Sequence, residues 1–485
     1  MYDIIVIGGG PAGTTAALRA RELGASVALV ERERLGGICT NDGCVPTRVL
    51  AKAARLARDA QDCGLYGIEL REPPQIDFGQ MMKRVQQVVY TMHEKKQLAD
   101  HLTGAGVTLF NEAGDASFVD AHTVQLADGS KLEGKNIIIA AGGHARTFPF
   151  PGVEYAITHH EVWSMDRLPA SVVIVGAAAT GCQLASIFHQ CGSSITLLEV
   201  APRILAGEDE IVSQTVDAAF RDRGIEIITR INGIDHIDKT GKELTLFYKA
   251  NNQIESLTAE SVILAVGWQA NTDALNLAAA GVELDQRGYI AVNDYLQTNV
   301  PHIFAAGDIT GRMMLVQSGQ FEGRLAAENA ILPNDELYKP LIVPHGGFTD
   351  PEYGSVGLTE SQAREKYEIA VAVVPFADVD RAVIDDHTVG MCKLIVNKES
   401  HRILGAHIVG EQALESIHMV AGGMVSDMSI EQLAELEIAY PTYVAVVGLA
   451  ARQLARELGI VPMKPQWQAL GKLNVAEWER RADGS

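Results

Sequence analysis

Cysteine is scarce in this chain. Six in 485 residues are too few to staple a secreted scaffold, and in a long chain they point to a reducing compartment. Positive charge is scarce as well. Forty Lys and Arg stand against 61 Asp and Glu, giving a formal charge of −21. Such a chain would be repelled by a phosphate backbone, which excludes nucleic acid as a partner; a solvated acidic surface accounts for the excess. Long hydrophobic runs are missing too, since no window reaches the ~18–20 uninterrupted apolar residues of a membrane span. The chain opens Met1-Tyr2-Asp3 and enters the apolar run Ile4–Ile7 without the basic stretch of a cleavable signal. These absences predict a cytoplasmic protein, and its length predicts about two to four domains.

What is present begins with a supersecondary unit that occurs twice. Tyr2–Ile7 reads as a buried parallel strand, followed by Gly8-Gly9-Gly10-Pro11-Ala12-Gly13, a helix through Leu23, and a strand Ser26–Val30 ending in Glu31. Gly8, Gly10 and Gly13 fit the G-x-G-x-x-G pattern. There the chain must turn tightly, approach a pyrophosphate and pack helix on strand, and the helix amino terminus offers free N–H groups to phosphate. Glu31 stands where a carboxylate can accept from ribose hydroxyls. The pattern restarts at Ser171–Val175, turns at Gly176–Gly181, runs a helix to Cys191 and ends strand Ile195–Leu198 at Glu199. Here Gly176 and Gly181 are kept, but Ala178 replaces the middle glycine and its methyl would crowd a pyrophosphate. Glu199 favours a free 2′-hydroxyl, hence NAD over NADP, while Arg203 leaves room for a 2′-phosphate. The second copy is either a nicotinamide nucleotide site or an element kept only for the fold. After about residue 340, strands Lys393–Val396 and Ile403–Val409 and helices Ala413–Asp427 and Tyr443–Leu458 predict a separate α+β unit.

Shortly after Glu31 lies the run Gly36-Gly37-Ile38-Cys39-Thr40-Asn41-Asp42-Gly43-Cys44-Val45-Pro46. Two cysteines five apart, at a loop-to-helix junction beside a nucleotide motif, point to a dithiol that cycles through its disulfide. A helix amino terminus favours thiolate and makes it reactive. The alternatives are two unrelated buried thiols or half of a metal site. Metal sites generally use C-x-x-C pairs with further ligands, and none are nearby, so no metal ligand is predicted. Cys63, Cys182, Cys191 and Cys392 read as small core residues.

With these elements, the chain resembles the flavoprotein (pyridine nucleotide) disulfide oxidoreductases, the family of dihydrolipoamide dehydrogenase, glutathione reductase and mercuric reductase, over about residues 2–455. Further support comes from Thr298 through Ala305-Ala306-Gly307-Asp308, from Phe348-Thr349-Asp350-Pro351-Glu352, and from Gly410, Ala413 and Glu415 in a G-x-x-A-x-E pattern. The resemblance implies an α/β chain of two Rossmann-like nucleotide-binding domains plus an α+β dimerisation domain. It places an FAD domain at 1–145 and 270–338, an NAD domain at 146–269, an interface domain at 339–460 and an extension at 461–485. FAD is then held by Gly8, Gly10, Gly13, Glu31, Gly142, Gly307 and Asp308 with Arg48 nearby. The nicotinamide nucleotide, NADH in preference to NADPH, is held by Gly176, Gly181, Gln183 and Glu199, and the chain forms a homodimer. In such enzymes Cys44 lies against the flavin and Cys39 is the exposed interchange thiol.

Several positions depart from the family pattern. A His-Pro pair near the carboxyl end, with a Glu five residues after the His, normally shuttles protons across the dimer interface. Here Tyr440 and Ala445 occupy those places, and a phenol with a reference pKa near ~10 is a poor base. Arg48 replaces a Lys and Gln183 its Glu partner, which predicts at best an Arg48–Gln183 hydrogen bond with the cation left unneutralised. Trp268 replaces an Arg, either packing at a domain junction or reshaping the pocket. No cysteine follows Cys392, so the terminal pair that feeds mercury to mercuric reductase is missing. The expectation is an FAD-dependent oxidoreductase passing electrons from NAD(P)H through flavin to Cys39–Cys44, and on to a metal ion, quinone or protein disulfide. A lipoamide dehydrogenase with a relocated base, or a redox sensor without turnover, are the alternatives.

Overall fold

A computed structural model describes residues 1–72, 74–333, 337–338 and 342–460. The extension expected at 461–485 lies outside the described residues. Among these, no helix is long and apolar enough to cross a membrane.

The apolar strand Tyr2–Ile7 is central because both of its faces are covered, and Ile4, Ile5 and Val6 are fully buried. It pairs in parallel with Val27–Val30 on one side and Lys131–Ile139 on the other. Ile303–Ala305 returns from far along the chain to add a parallel strand beside Lys131–Ile139. That return sets Gly307 and Asp308 beside the first glycine turn. The second copy forms its own parallel sheet in the order Glu226–Ile228, Ser194–Leu198, Ser171–Val175, Ser261–Leu264. A short ribbon, Gly143–Ala145 against Trp268–Ala270, forms where the chain passes between the two sheets. The last unit is a five-stranded antiparallel sheet in the order His345–Gly347, Tyr353–Gly357, Ile403–Val409, Met391–Asn397, Ile369–Pro375. Helices Ala413–Val425 and Ala445–Glu457 complete its core, close to their expected limits. The mixed α/β architecture of two nucleotide-binding sheets and an α+β unit is the one expected.

Of the remaining cysteines, Cys182, Cys191 and Cys392 are buried as expected, whereas Cys63 is not a core residue. It begins a 3-10 turn where the helix ends, half-buried, with its thiol in hydrogen-bond reach of the Ala60 and Ile68 carbonyls on either side.

Asp350 ties all three units together. Its carboxylate accepts from Arg58 at 2.9 Å, on the helix that begins at Cys44, and from Arg223 at 3.2 Å, in the second unit. Gln190 donates to the same carboxylate, and the Asp350 N–H donates to Ser186 Oγ at 3.0 Å. Burial alone would raise the Asp350 pKa, but Arg223 and Arg58 outweigh it and hold it below the ordinary carboxylate range. A carboxylate held low stabilises the fold above the unfolded pKa and loses that contribution as pH falls through the folded one. Asp350→Asn should therefore destabilise the protein by about 3 kcal/mol at neutral pH. It should also flatten the acid limb of the stability profile, both read by urea denaturation across pH.

Candidate active site

Where the three units meet, the chain encloses a cavity of about 1540 Å3. The first glycine turn forms one wall. Gly8 has φ +107, and a Cβ there would lie 2.3 Å from the Ala140 carbonyl oxygen; a Cβ on Gly13 would lie 1.8 Å from the Gly8 carbonyl oxygen. Gly8 and Gly13 are thus needed by the packing of strand, turn and helix. Gly10 differs. A Cβ there would meet nothing nearer than 3.8 Å, so its bareness keeps the cavity wall open. Glu31 Oε2 accepts from the Gly9 N–H at 2.6 Å and Oε1 from the Glu33 N–H at 2.9 Å. The carboxylate latches the turn while a second lone pair on each oxygen stays open to a ribose hydroxyl.

Gly142, Gly307 and Asp308 also line the cavity. Burial pushes the Asp308 carboxyl up. Behind it sits Glu322, fully buried, with Oε2 accepting from the Gly307 N–H at 2.7 Å. Burial pushes Glu322 up to about 7, and its Oε1 has no partner. Helix Val316–Ile331 begins with no side-chain cap, and in its first turn Ser318 Oγ, buried and without a protein partner, lines the cavity. A bare glycine cradle, an uncapped helix start and an orphaned hydroxyl fit the dinucleotide FAD. Neither Glu322 nor Ser318 was legible in the sequence, where the only hint is a carboxylate set among small residues.

Cys39 lies in the short helix Gly37–Asn41 and Cys44 is the first residue of helix Cys44–Asp62; both open on the cavity. Cys39 is half-buried, and Cys44, on the helix start that faces the cavity, is the more open to it. A hydrogen bond from Cys39 lowers the Cys44 pKa to about 7 against the effect of burial, helped by the backbone N–H. Sharing of its proton with Cys44, together with burial, pushes Cys39 up. Of the two, Cys44 is therefore the easier to ionise.

Arg48 corrects an expectation. It does not line the cavity; its guanidinium donates to Glu352 at 2.7 Å and lies 4.7 Å over the Phe348 ring. Glu352 is buried and also pairs with Arg55 at 3.3 Å. Gln183 instead donates to the Ala179 carbonyl at 3.0 Å and accepts from the Phe348 N–H at 3.0 Å. The cation expected to be unneutralised is thus paired, because a buried carboxylate from the third unit draws it away.

In the second unit, Gly176 and Gly181 repeat the packing roles of Gly8 and Gly13. Glu199 repeats the latch of Glu31, accepting from the Ala177 N–H at 2.7 Å and the Ala201 N–H at 2.8 Å. Ala178 has φ −80 and ψ −169 against −74 and −173 at Gly10, so its methyl does not distort the turn. Ala179, Thr180 and Gln183 reach the cavity, while Gly176, Gly181 and Glu199 lie behind its wall. Arg203 donates to the carbonyls of Leu205 at 3.1 Å and of Ala206 and Glu208 at 2.9 Å. Trp268 packs in the junction ribbon, its ring 5.0 Å from that of His159, with one side on the cavity. Tyr440 is 77% exposed and stands outside the cavity of its own chain. A hydrogen bond to Asp380 raises its pKa. Two His–carboxylate pairs at the cavity were not foreseen, His160–Asp42 at 3.3 Å and His345–Glu208 at 3.2 Å.

Comparison with known proteins agrees with this geometry. Residues 2–323 match the pyridine nucleotide-disulphide oxidoreductase family and residues 343–451 match its dimerisation domain. A mercuric reductase of Staphylococcus aureus is 32% identical over 93% of this chain and 82% of its own length. A dihydrolipoyl dehydrogenase of Bacillus subtilis is 30% identical over 93% of this chain and 97% of its own. The HOCl-induced flavoprotein disulfide reductase RclA from Escherichia coli shares the fold with a TM-score of 0.83 at 25% identity, over 95% of this chain and 100% of that one. The chain therefore belongs to the pyridine nucleotide-disulphide oxidoreductases, a family of enzymes that depend on FAD and NAD(P)H.

Proposed function

We propose that this chain is a homodimeric, NADH-oxidising flavoenzyme that reduces a thiophilic metal ion through the Cys39–Cys44 dithiol. The observation that carries this reading is the thiol pair itself, set in the wall of the cavity that the first glycine turn, Gly142, Gly307 and Asp308 complete. Bound FAD supplies two-electron transfer between nicotinamide and the disulfide. The Gly8–Gly13 turn, Ser318 and the start of helix Val316–Ile331 bind and orient that cofactor, and Glu31 and Glu322 fix the loops that do so.

Preference for NADH follows from Glu199 and Arg203. A carboxylate at the end of the second strand accepts from ribose and repels a 2′-phosphate. Arg203, engaged with three backbone carbonyls, is held away from such a phosphate.

The acceptor follows from where the protons are. A phenol held above its usual value, as at Tyr440, keeps its proton at neutral pH and cannot act as the base that disulfide substrates need. A soft cation needs no such base, because it displaces the thiol proton as it binds sulfur. NADH is the electron source, and its two electrons per turnover are enough for one Hg(II) or two Cu(II). Mercuric reductases are among the relatives, and RclA has been solved as a Cu(II) complex.

NADH consumption should accelerate with Hg(II) or Cu(II) and vanish in Cys39→Ser and Cys44→Ser, with kcat/KM at least about tenfold lower for NADPH. Faster turnover with lipoamide, a quinone or a protein disulfide would reassign the acceptor. In the reduced holoenzyme, iodoacetamide alkylation of Cys44 should rise with a midpoint near pH 7. Cys39→Ala should move that midpoint up toward the ordinary ~8.5.

A further inference from the structure

His345 and Glu208 come from different units. His345 opens the edge strand His345–Gly347 of the third unit, and Glu208 follows the Arg203–Leu205 stretch of the second. The ring Nε2 lies 3.2 Å from Glu208 Oε2, and the Val343 backbone hydrogen-bonds the ring as well. The Ser355 hydroxyl, on the strand paired with His345, donates to the same Glu208 oxygen at 2.9 Å. His345 lines the cavity and Glu208 does not. The pair therefore presents its imidazole inward, with the carboxylate behind it.

Its place in the cavity is set by its neighbours. The Phe348 N–H, one residue past the strand, donates to Gln183 at 3.0 Å, and Gln183 lines the cavity from the helix of the second nucleotide turn. Gln317, in the first turn of helix Val316–Ile331, donates to the Pro344 carbonyl at 2.9 Å, which brings the positive end of that helix to the same corner.

We propose that His345 stands as an imidazolium on the nicotinamide side of the cavity and makes the site prefer NADH, whose ring is neutral, over NAD+, whose ring is cationic. This rests on the reading that the second unit binds a nicotinamide nucleotide. Such a charge favours entry of the reduced nucleotide and release of the oxidised one, and so sets the enzyme to run as a reductase.

The neighbouring groups leave the charge in place. Burial alone would depress the His345 pKa, but the Glu208 hydrogen bond and charge outweigh it and raise it. Burial lowers His407, whose Nδ1 lies 3.1 Å from Ser355 Oγ, and so disfavours a second cation there. Asp209 is paired with Lys393 at 2.8 Å. Tyr353 is buried with its pKa raised, hence neutral, and His418 is bonded to the Leu414 carbonyl of its own helix. A histidine with a raised pKa keeps its charge to higher pH than a free one and loses it as pH rises through the folded value.

The test is equilibrium binding to the oxidised holoenzyme of three probes: NAD+, the unreactive neutral-ring analogue 1,4,5,6-tetrahydro-NAD, and ADP-ribose, which has no nicotinamide. The ratio of Kd for NAD+ to Kd for the analogue should fall about threefold to tenfold in His345→Gln and in Glu208→Gln. It should be retained in His345→Lys, with ADP-ribose binding unchanged throughout. In the wild type the ratio should fall as pH rises, and in His345→Gln it should be flat. An unchanged ratio in His345→Gln, with both dinucleotides bound, overturns the proposal. Failure of all three probes to bind the wild type overturns the reading of the second unit, and the proposal with it.

Discussion

The carboxylate of Asp350 is the contact on which the arrangement of this chain turns. It takes charge-assisted hydrogen bonds from Arg58 of the first unit and Arg223 of the second while itself belonging to the third. A buried carboxylate bound by two guanidinium groups adds little net stability, because desolvation offsets most of the attraction. It is demanding about geometry, however, since losing either partner leaves an uncompensated charge. Arg58 lies on the same helix as Cys44, so the contact also fixes where the thiols sit relative to the other two units. A single buried cluster, running from Leu50 and Val85 through Val172 and Phe188 to Tyr353 and Val409, joins the three units behind the cavity, and no single sheet supplies its walls.

Within that frame the two nucleotide units have diverged while keeping one local solution. Both turns need glycine at their first and last positions, where a Cβ would strike a carbonyl oxygen. Both are latched by a carboxylate, Glu31 or Glu199, that accepts two backbone N–H groups. The middle position is not constrained by folding, since Gly10 and Ala178 share nearly the same backbone conformation. Only a ligand would distinguish them. The alanine is therefore no defect in the fold; it alters how closely a pyrophosphate can approach.

Features carried by contiguous residues were legible in the sequence: the two glycine turns, the strand and helix runs of the third unit, and the cysteine pair. Features that depend on residues far apart in the chain were not. Arg48 was expected against Gln183, yet Glu352, 304 positions away, provides the deeper carboxylate and takes the cation. Glu208 and His345 are 137 positions apart and carry no joint pattern. Cys63 has the helical context of a core residue, but the helix ends at it and its thiol reaches the carbonyls on either side instead. For Arg48 and for the Glu208–His345 pair, local propensity was correct and the partner was set by how the three units dock, whereas Cys63 turns on where its own helix stops.

The absent histidine at position 440 has a counterpart in the state of the thiols. An acceptor disulfide must be attacked by a thiolate, and its leaving thiolate must take up a proton, so it needs a base and acid beside the interchange sulfur. The hydrogen bond between the two thiols lowers the Cys44 pKa and raises that of Cys39, so Cys39 is the harder of the two to deprotonate. On the proposed reading, a soft metal cation offsets that difference by itself. Coordination to sulfur lowers the thiol pKa, the Cys39 proton leaves to solvent, and two sulfurs close together at a cavity wall bind the ion. On the proposed reading, the departure at position 440 that disfavours one class of acceptor is tolerated by another, because the acceptor performs the deprotonation that a side chain performs elsewhere in the family.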